Sequence, residues 1–83
     1  KSLFTEANER LVEVLIAARH SAGLRQVDVA DRLGKDQSYI SNIERGQRRV
    51  DDLEFYVLSK AMNADPVELF SSAIELFPEA FDI

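Results

Sequence analysis

Cysteine is missing from this chain of 83 residues. That excludes a disulfide framework, a thiolate zinc site and a cysteine nucleophile, and it fits a reducing compartment, so the expected location is the cytoplasm. Histidine occurs once, as His20. One imidazole without cysteine makes no ordinary zinc site, and its place near a predicted helix end suits a surface or capping role. No apolar run approaches the ~20 residues of a membrane span, and no secretory signal pattern is visible. Convincing strand alternation is absent, as are internal repeats and low-complexity segments. Glycine and proline are scarce, at three and two residues. Basic residues are outnumbered by acidic ones, 10 against 15, for a net charge of −5, a balance that at first sight disfavours a polyanionic partner.

The apolar content is plentiful, at 46%. It suffices for one domain with a small core, of marginal stability at this length. Five helices are predicted. The first runs from about Thr5 to Ala22, with Phe4, Ala7, Leu11, Val14, Leu15 and Ala18 as its buried stripe. Gly23 ends it, and Leu24 packs just beyond. The fourth opens at Asp51, with Glu54 three residues on in a capping-box spacing, and its apolar face is expected at Leu53, Tyr56 or Val57, Leu58 and Ala61. The fifth has the clearest start. Asp65 caps, Pro66 presets φ at the first position and Glu68 favours the positive helix end, with Val67, Leu69, Phe70, Ala73 and Ile74 following before Pro78 stops it.

The run from Gln26 to Gly46 is the most informative part of the chain. Val29, Ala30 and Leu33 lie on one face of a short helix. Gly34 suits the left-handed backbone that ends it, and Asp36 is placed to cap the next helix. Tyr39, Ile40 and Ile43 make the inner face of that second helix, which Gly46 ends, and the small Ala30 allows a close crossing of the pair. The pattern is a helix-turn-helix. It leaves Gln37, Ser38, Ser41 and Asn42 on an outer face that can read base edges in a DNA major groove.

The charge distribution removes much of the objection raised by the net value. Residues 24–49 hold six basic groups (Arg25, Arg32, Lys35, Arg45, Arg48 and Arg49) against four acidic ones, whereas residues 50–83 hold only Lys60 against eight acids. Screening over ~10 Å makes local charge count for more than the total.

From about Leu15 to Phe70 the chain resembles the Cro/C1-type (XRE-like) helix-turn-helix family of phage and bacterial repressors. The residues that carry the resemblance are Arg19, Gly23, Leu24, Gln26, Ala30, Leu33, Gly34, Gln37, Ile40, Ser41, Ile43, Glu44, Arg45, Gly46, Leu58, Ala61, Leu69 and Phe70. They span roughly two-thirds of the chain, and the S-x-I-E-R-G ending followed by D-P-x-E-L-F is the selective part. The resemblance implies an all-α, compact, five-helix lambda-repressor-like fold. It also implies base readout by Gln37, Ser38 and Asn42, and phosphate contacts by Gln26, Arg25, Arg48 and Arg49. Arg19 and Glu44 match a pair that joins the first helix to the third. Two positions depart from the family pattern. Arg25 stands where a capping Thr, Ser or Asn is usual, so that either the helix frays or Arg25 turns outward to a phosphate, and Val50 stands where proline is frequent.

Enzymatic chemistry finds no support. Asp51 and Asp52 read as helix caps, and no serine sits in a nucleophile elbow. No cofactor, metal, small-molecule ligand or membrane partner is expected. The expected organisation is a DNA-binding domain over residues 1–71 and an apolar extension over 72–83. In that extension Ile74, Phe77 and Phe81 either pack internally or form a two-fold surface. Two copies spaced by one DNA turn, ~34 Å, read a palindrome with adequate affinity. The expected function is therefore sequence-specific binding of double-stranded DNA by a homodimeric transcriptional regulator, in the first place a repressor. Two other readings stand beside it: a protein-interaction module that keeps the fold without DNA, and the DNA-binding part of a longer regulator or antitoxin.

Overall fold

The computed structural model describes residues 3–79. Its helices are α1 (Leu3–Ser21), α2 (Gln26–Leu33), α3 (Gln37–Glu44), α4 (Asp52–Ala61) and α5 (Pro66–Ile74), and no strand occurs among the described residues. α2 packs on α3, α4 lies against α2, and α5 returns along α1. The core they enclose is built from Val12 and Leu15 of α1, Val29 and Ala30 of α2, Ile40 and Ile43 of α3, Val50, and Phe55, Leu58 and Met62 of the α4 region. Ala30 has no exposed surface at all, as its place at the close crossing requires.

Local chemistry sets the helix ends. α2 ends at Gly34, whose φ of 67° lies in the left-handed region, and the Lys35 N–H donates to the Ala30 carbonyl at 2.9 Å. A Cβ at Gly34 would meet nothing within 4 Å, so the requirement there is conformational and not steric. α4 ends in the same way without glycine. Asn63 takes φ 57°, and the Ala64 N–H reaches the Ser59 carbonyl at 2.9 Å. Asparagine tolerates this conformation better than other side chains do. At the start of α4 the Glu54 N–H donates to Asp51 Oδ1 at 2.7 Å while the Asp51 N–H donates to Glu54 Oε1 at 3.1 Å, a reciprocal capping box. Asp65 accepts from the Val67 N–H at 2.9 Å, with Pro66 in the first turn of α5.

Three local expectations are corrected. Asp36 holds the N-cap position of α3, but its side chain makes no capping bond and stays exposed to water. In α1 the inward positions include Val12, while Phe4 is 43% exposed beneath the Arg49 guanidinium, 4.7 Å from its ring centre. In α4 the buried face is Phe55, Leu58, Ser59 and Met62, and Leu53 is 73% exposed. The segment is apolar nearly all round, with Leu53, Phe55, Tyr56, Val57, Leu58, Ala61 and Met62, so its period leaves more than one face open. The face that is buried also takes in Ser59, whose hydroxyl donates to the Phe55 carbonyl at 2.8 Å and is thereby satisfied.

The register of α4 is directly testable. Phe55→Ala should cost about 3–5 kcal/mol, whereas Leu53→Ser should change stability by no more than about 0.5 kcal/mol. Urea denaturation followed by far-UV circular dichroism measures both.

Candidate nucleic-acid interface

The outer face of α3 is polar along its length. Gln37 and Ser38 are exposed, while Ser41 and Asn42 are half-buried at its edge. The orientation of this face is fixed by a chain of hydrogen bonds that crosses three helices. Arg19 of α1 donates from Nε to Glu44 Oε2 at 2.7 Å and from Nη2 to Glu44 Oε1 at 2.9 Å. Its third arm, Nη1, donates to the Leu24 carbonyl at 2.9 Å in the turn before α2. Both side chains of the pair are 11% exposed. Gln26, the first residue of α2, donates from Nε2 to Glu44 Oε1 at 2.9 Å, and Gln37, the first of α3, donates from Nε2 to Gln26 Oε1 at 3.2 Å. A side-chain amide carries two N–H groups and an oxygen with two lone pairs. Gln37 therefore keeps one N–H and its carbonyl oxygen, the donor–acceptor couple that matches adenine N6 and N7.

The loop that follows α3 is held by a residue that sequence reasoning did not single out. Asn8 of α1, 8% exposed, accepts from the Val50 N–H at 2.9 Å and donates to the Arg48 carbonyl at 3.4 Å. The loop after α3 is thereby tied to α1. The sequence did carry a signal for it: a polar residue four positions before Val12 and seven before Leu15, in phase with the inner face of α1.

The basic residues are distributed around this face, and most are already engaged. Arg25 is 78% exposed and folds onto Asp28, with Nε and Nη2 at 3.2 and 2.9 Å from its carboxylate. The same carboxylate accepts the Arg25 backbone N–H at 2.8 Å. Asp28 thus closes the start of α2, a task for which arginine has no acceptor, and the contact lowers the Asp28 pKa and raises that of Arg25. Arg45 donates to Asn42 Oδ1 at 2.6 Å, which orients an expected base reader. Lys35 lies 5.3 Å from the ring centre of Tyr39, and the Arg48 guanidinium 5.4 Å from the same ring. Arg48 also forms an ion pair with Glu54 through both terminal nitrogens. The Tyr39 hydroxyl donates to Glu54 Oε2 at 2.7 Å. The Arg48 guanidinium is the first cause that holds the Glu54 carboxyl down, from an ordinary 4.5 to about 2. Desolvation and the Glu54 hydrogen bond push the Tyr39 hydroxyl up. Among the expected dimer residues, Ile74 is 49% exposed and Phe77 packs its ring edge-on against Phe70, centres 6.1 Å apart. Phe81 lies outside the described residues.

Two outcomes are expected. Arg19→Ala leaves Glu44 buried without its counter-charge and should cost about 3 kcal/mol, read as a shift in the urea midpoint. Glu54 is depressed in the folded state, so the stability it contributes is present above pH 4.5 and is lost as the pH falls towards 2. Acid unfolding of Glu54→Gln should lack that portion of the pH dependence, and an unchanged acid limb would show that the ion pair carries none of it.

A helix-turn-helix family model matches residues 15–69. An uncharacterized HTH-type transcriptional regulator, y4dJ of Sinorhizobium fredii (strain NBRC 101917 / NGR234), is 37% identical over 57 residues, which are 69% of this chain and 74% of that protein. An XRE-family like protein from Pseudomonas syringae pv. tomato str. DC3000 superposes with a TM-score of 0.79 at 35% identity, over 87% of this chain and 88% of the other. The restriction-modification controller protein C.Esp1396I, solved as a tetramer in complex with its natural 35 base-pair operator, superposes with a TM-score of 0.75 at 26% identity, over 83% of this chain and 91% of the other. With a family match over more than half its length and the α2–α3 geometry described above, the chain belongs to the Cro/C1-type (XRE) helix-turn-helix family of DNA-binding transcriptional regulators.

Proposed function

We propose that the protein is a sequence-specific, homodimeric regulator that binds a palindromic operator and represses transcription by occluding promoter DNA. The observation that carries this reading is the relay from Arg19 through Glu44 and Gln26 to Gln37, which holds an exposed amide at the start of α3 in a fixed direction. In this reading α3 enters the major groove and α2 rests across the backbone. Gln37, Ser38 and Asn42 read bases. Gln26, Arg25, Arg48 and Arg49 contact phosphates, and the N-terminal N–H groups of α2 reinforce Gln26. No chemistry is required, because occupancy alone blocks the site.

One reading helix contacts only a few base pairs, which makes pairing of two copies advantageous. The support for a homodimer is the apolar face shared by α4 and α5. Tyr56, Val67 and Phe70 line one groove, and Ile74, four residues beyond Phe70 on α5, is also exposed. Val67 is 73% exposed, the kind of surface that a second copy covers. Phe70 itself packs edge-on against Phe55, with ring centres 5.8 Å apart, so the face has a rigid floor. The operator-bound tetramer of C.Esp1396I supports assembly on DNA within the fold. In this arrangement α5, with Asp65, Glu68 and Glu75 at or beside it and no basic residue, lies on the side away from DNA, where repulsion of phosphate helps to fix the docking orientation.

Selection of bound sequences from random duplex DNA tests the reading, with wild type and Gln37→Ala in parallel. The expected result is a palindromic consensus for wild type that relaxes at particular positions in the variant. With about six phosphates neutralised, the log–log salt slope should lie near −5. Val67→Asp should shift the sedimenting species from dimer to monomer and weaken operator binding. A folded wild-type protein that enriches no sequence at low salt would overturn the reading and direct attention to protein partners of the α4–α5 face.

A further inference from the structure

Three groups from separate elements meet between α3 and the start of α4: Tyr39, Arg48 and Glu54. The Glu54 carboxylate accepts from both terminal nitrogens of Arg48, from the Tyr39 hydroxyl at 2.7 Å and from the Asp51 N–H at 3.1 Å. Lys35 and Arg48 both stand over the Tyr39 ring. The cluster therefore sets two cations against the Glu54 carboxylate, with the Asp51 carboxylate close enough to act on Tyr39 and Arg48 as well. The anion is the less exposed member of the ion pair, at 17% of its side chain against 43% for Arg48.

A carboxylate that takes both terminal nitrogens of a guanidinium offers it two oxygens in one plane, the same fork geometry that a phosphate offers. We propose that Glu54 is an internal substitute for a DNA phosphate at Arg48, a restraint that lowers the affinity of the protein for the DNA backbone whatever the sequence. The inference rests on the DNA-binding reading above. A phosphate reaches Arg48 in one of two ways. It displaces the carboxylate, which leaves Glu54 charged and stripped of its strongest partner, or it sits beside the carboxylate and sets two anions against one cation. Both lower the net gain from the contact. The restraint does not relax near neutral pH, since the carboxyl stays ionised far below it. It also alters the ion balance. A phosphate that recruits Arg48 releases its own condensed cation, but the uncovered Glu54 takes one up, and the contact contributes little to the salt dependence. Because phosphate contacts carry no sequence information, removal of the restraint strengthens binding to every duplex by the same factor.

Fluorescence anisotropy tests this with the selected operator duplex and a scrambled duplex of equal length, over a series of salt concentrations. The proteins are wild type, Glu54→Gln, Arg48→Ala, the double variant, and Asp52→Asn as a control for loss of one negative charge in the same helical turn. Thermal denaturation of each establishes that it is folded at the temperature used. Glu54→Gln should bind both duplexes ~3–10-fold more tightly than wild type at low salt. Its salt slope should be steeper by about one per subunit, hence by about two for the bound homodimer. In the Arg48→Ala background the same change should have no effect, and Asp52→Asn should alter affinity less than ~2-fold, as expected of a screened charge without an ion-pair partner. Glu54→Ala serves in place of the glutamine variant should that one fail to fold. Unchanged or weaker binding by the folded Glu54 variant would overturn the proposal, as would tightening that persists without Arg48 or is matched by Asp52→Asn. A folded wild type that binds neither duplex at low salt overturns the DNA-binding reading itself, an outcome distinct from the others.

Discussion

The ion pair between Arg19 and Glu44 is the constraint on which the proposed reading face depends. Its net energetic contribution is modest by general experience, because two charges withdrawn from water regain in attraction about what they lose in hydration. What it supplies is direction. Two parallel N–H···O bonds define a plane, and a third arm of the same guanidinium grips the Leu24 carbonyl. One side chain of α1 therefore fixes both the end of α3 and the approach to α2. Gln26 and Gln37 extend that order to the surface through neutral amides. A hydrophobic contact of the same area would hold the helices together without specifying their rotation.

The electrostatics of the face differ from a simple count of basic residues. Arg25, Arg45 and Arg48 are each engaged by a neighbouring acceptor within the protein, and Arg32 donates to the Ala61 carbonyl at the end of α4 at 2.6 Å. The neutral acceptors orient Arg45 and Arg32 in advance, whereas Arg25 and Arg48 are held by carboxylates that an arriving anion has to displace or join. They also lower the long-range field, so that close geometry and not bulk attraction discriminates between surfaces. A protein with a net charge of −5 and a reading face built in this way is suited to weak general attraction and strong local fit.

Much of the fold was legible in the sequence because its signals are short in range. Asp51 with Glu54, Asp65 with Pro66, and Gly34 in its turn each act within a few residues, and each appears in the structure at the expected place. The α4 face was misread because apolar residues surround that helix, from Leu53 and Phe55 to Ala61 and Met62, and periodicity alone does not choose among its faces. The left-handed end of α4 at Asn63 escaped notice because asparagine is less diagnostic than glycine. Asn8 was missed because its partners lie 40 and 42 residues away. The partnering of Arg48 with Glu54 was likewise hidden, since two residues on different elements reveal nothing of their meeting until the helices are placed.

The two tethers that α1 throws to the end of α3 and the loop after it bear on how this unit can be reused. Arg19 reaches Glu44 across 25 residues of sequence, and Asn8 reaches Val50 across 42. Neither residue belongs to the helix-turn-helix itself, yet together they hold the C-terminal end of its second helix and the loop that leaves it. The motif from Gln26 to Gly46 is thus not a self-contained cassette: moved to a foreign scaffold, it would keep its turn and lose its aim. The outward residues Ser38 and Asn42 have no part in either tether. On the proposed reading, evolution can exchange the lettering of α3 while the mount stays fixed, so that new specificities arise by surface substitution on an inherited α1.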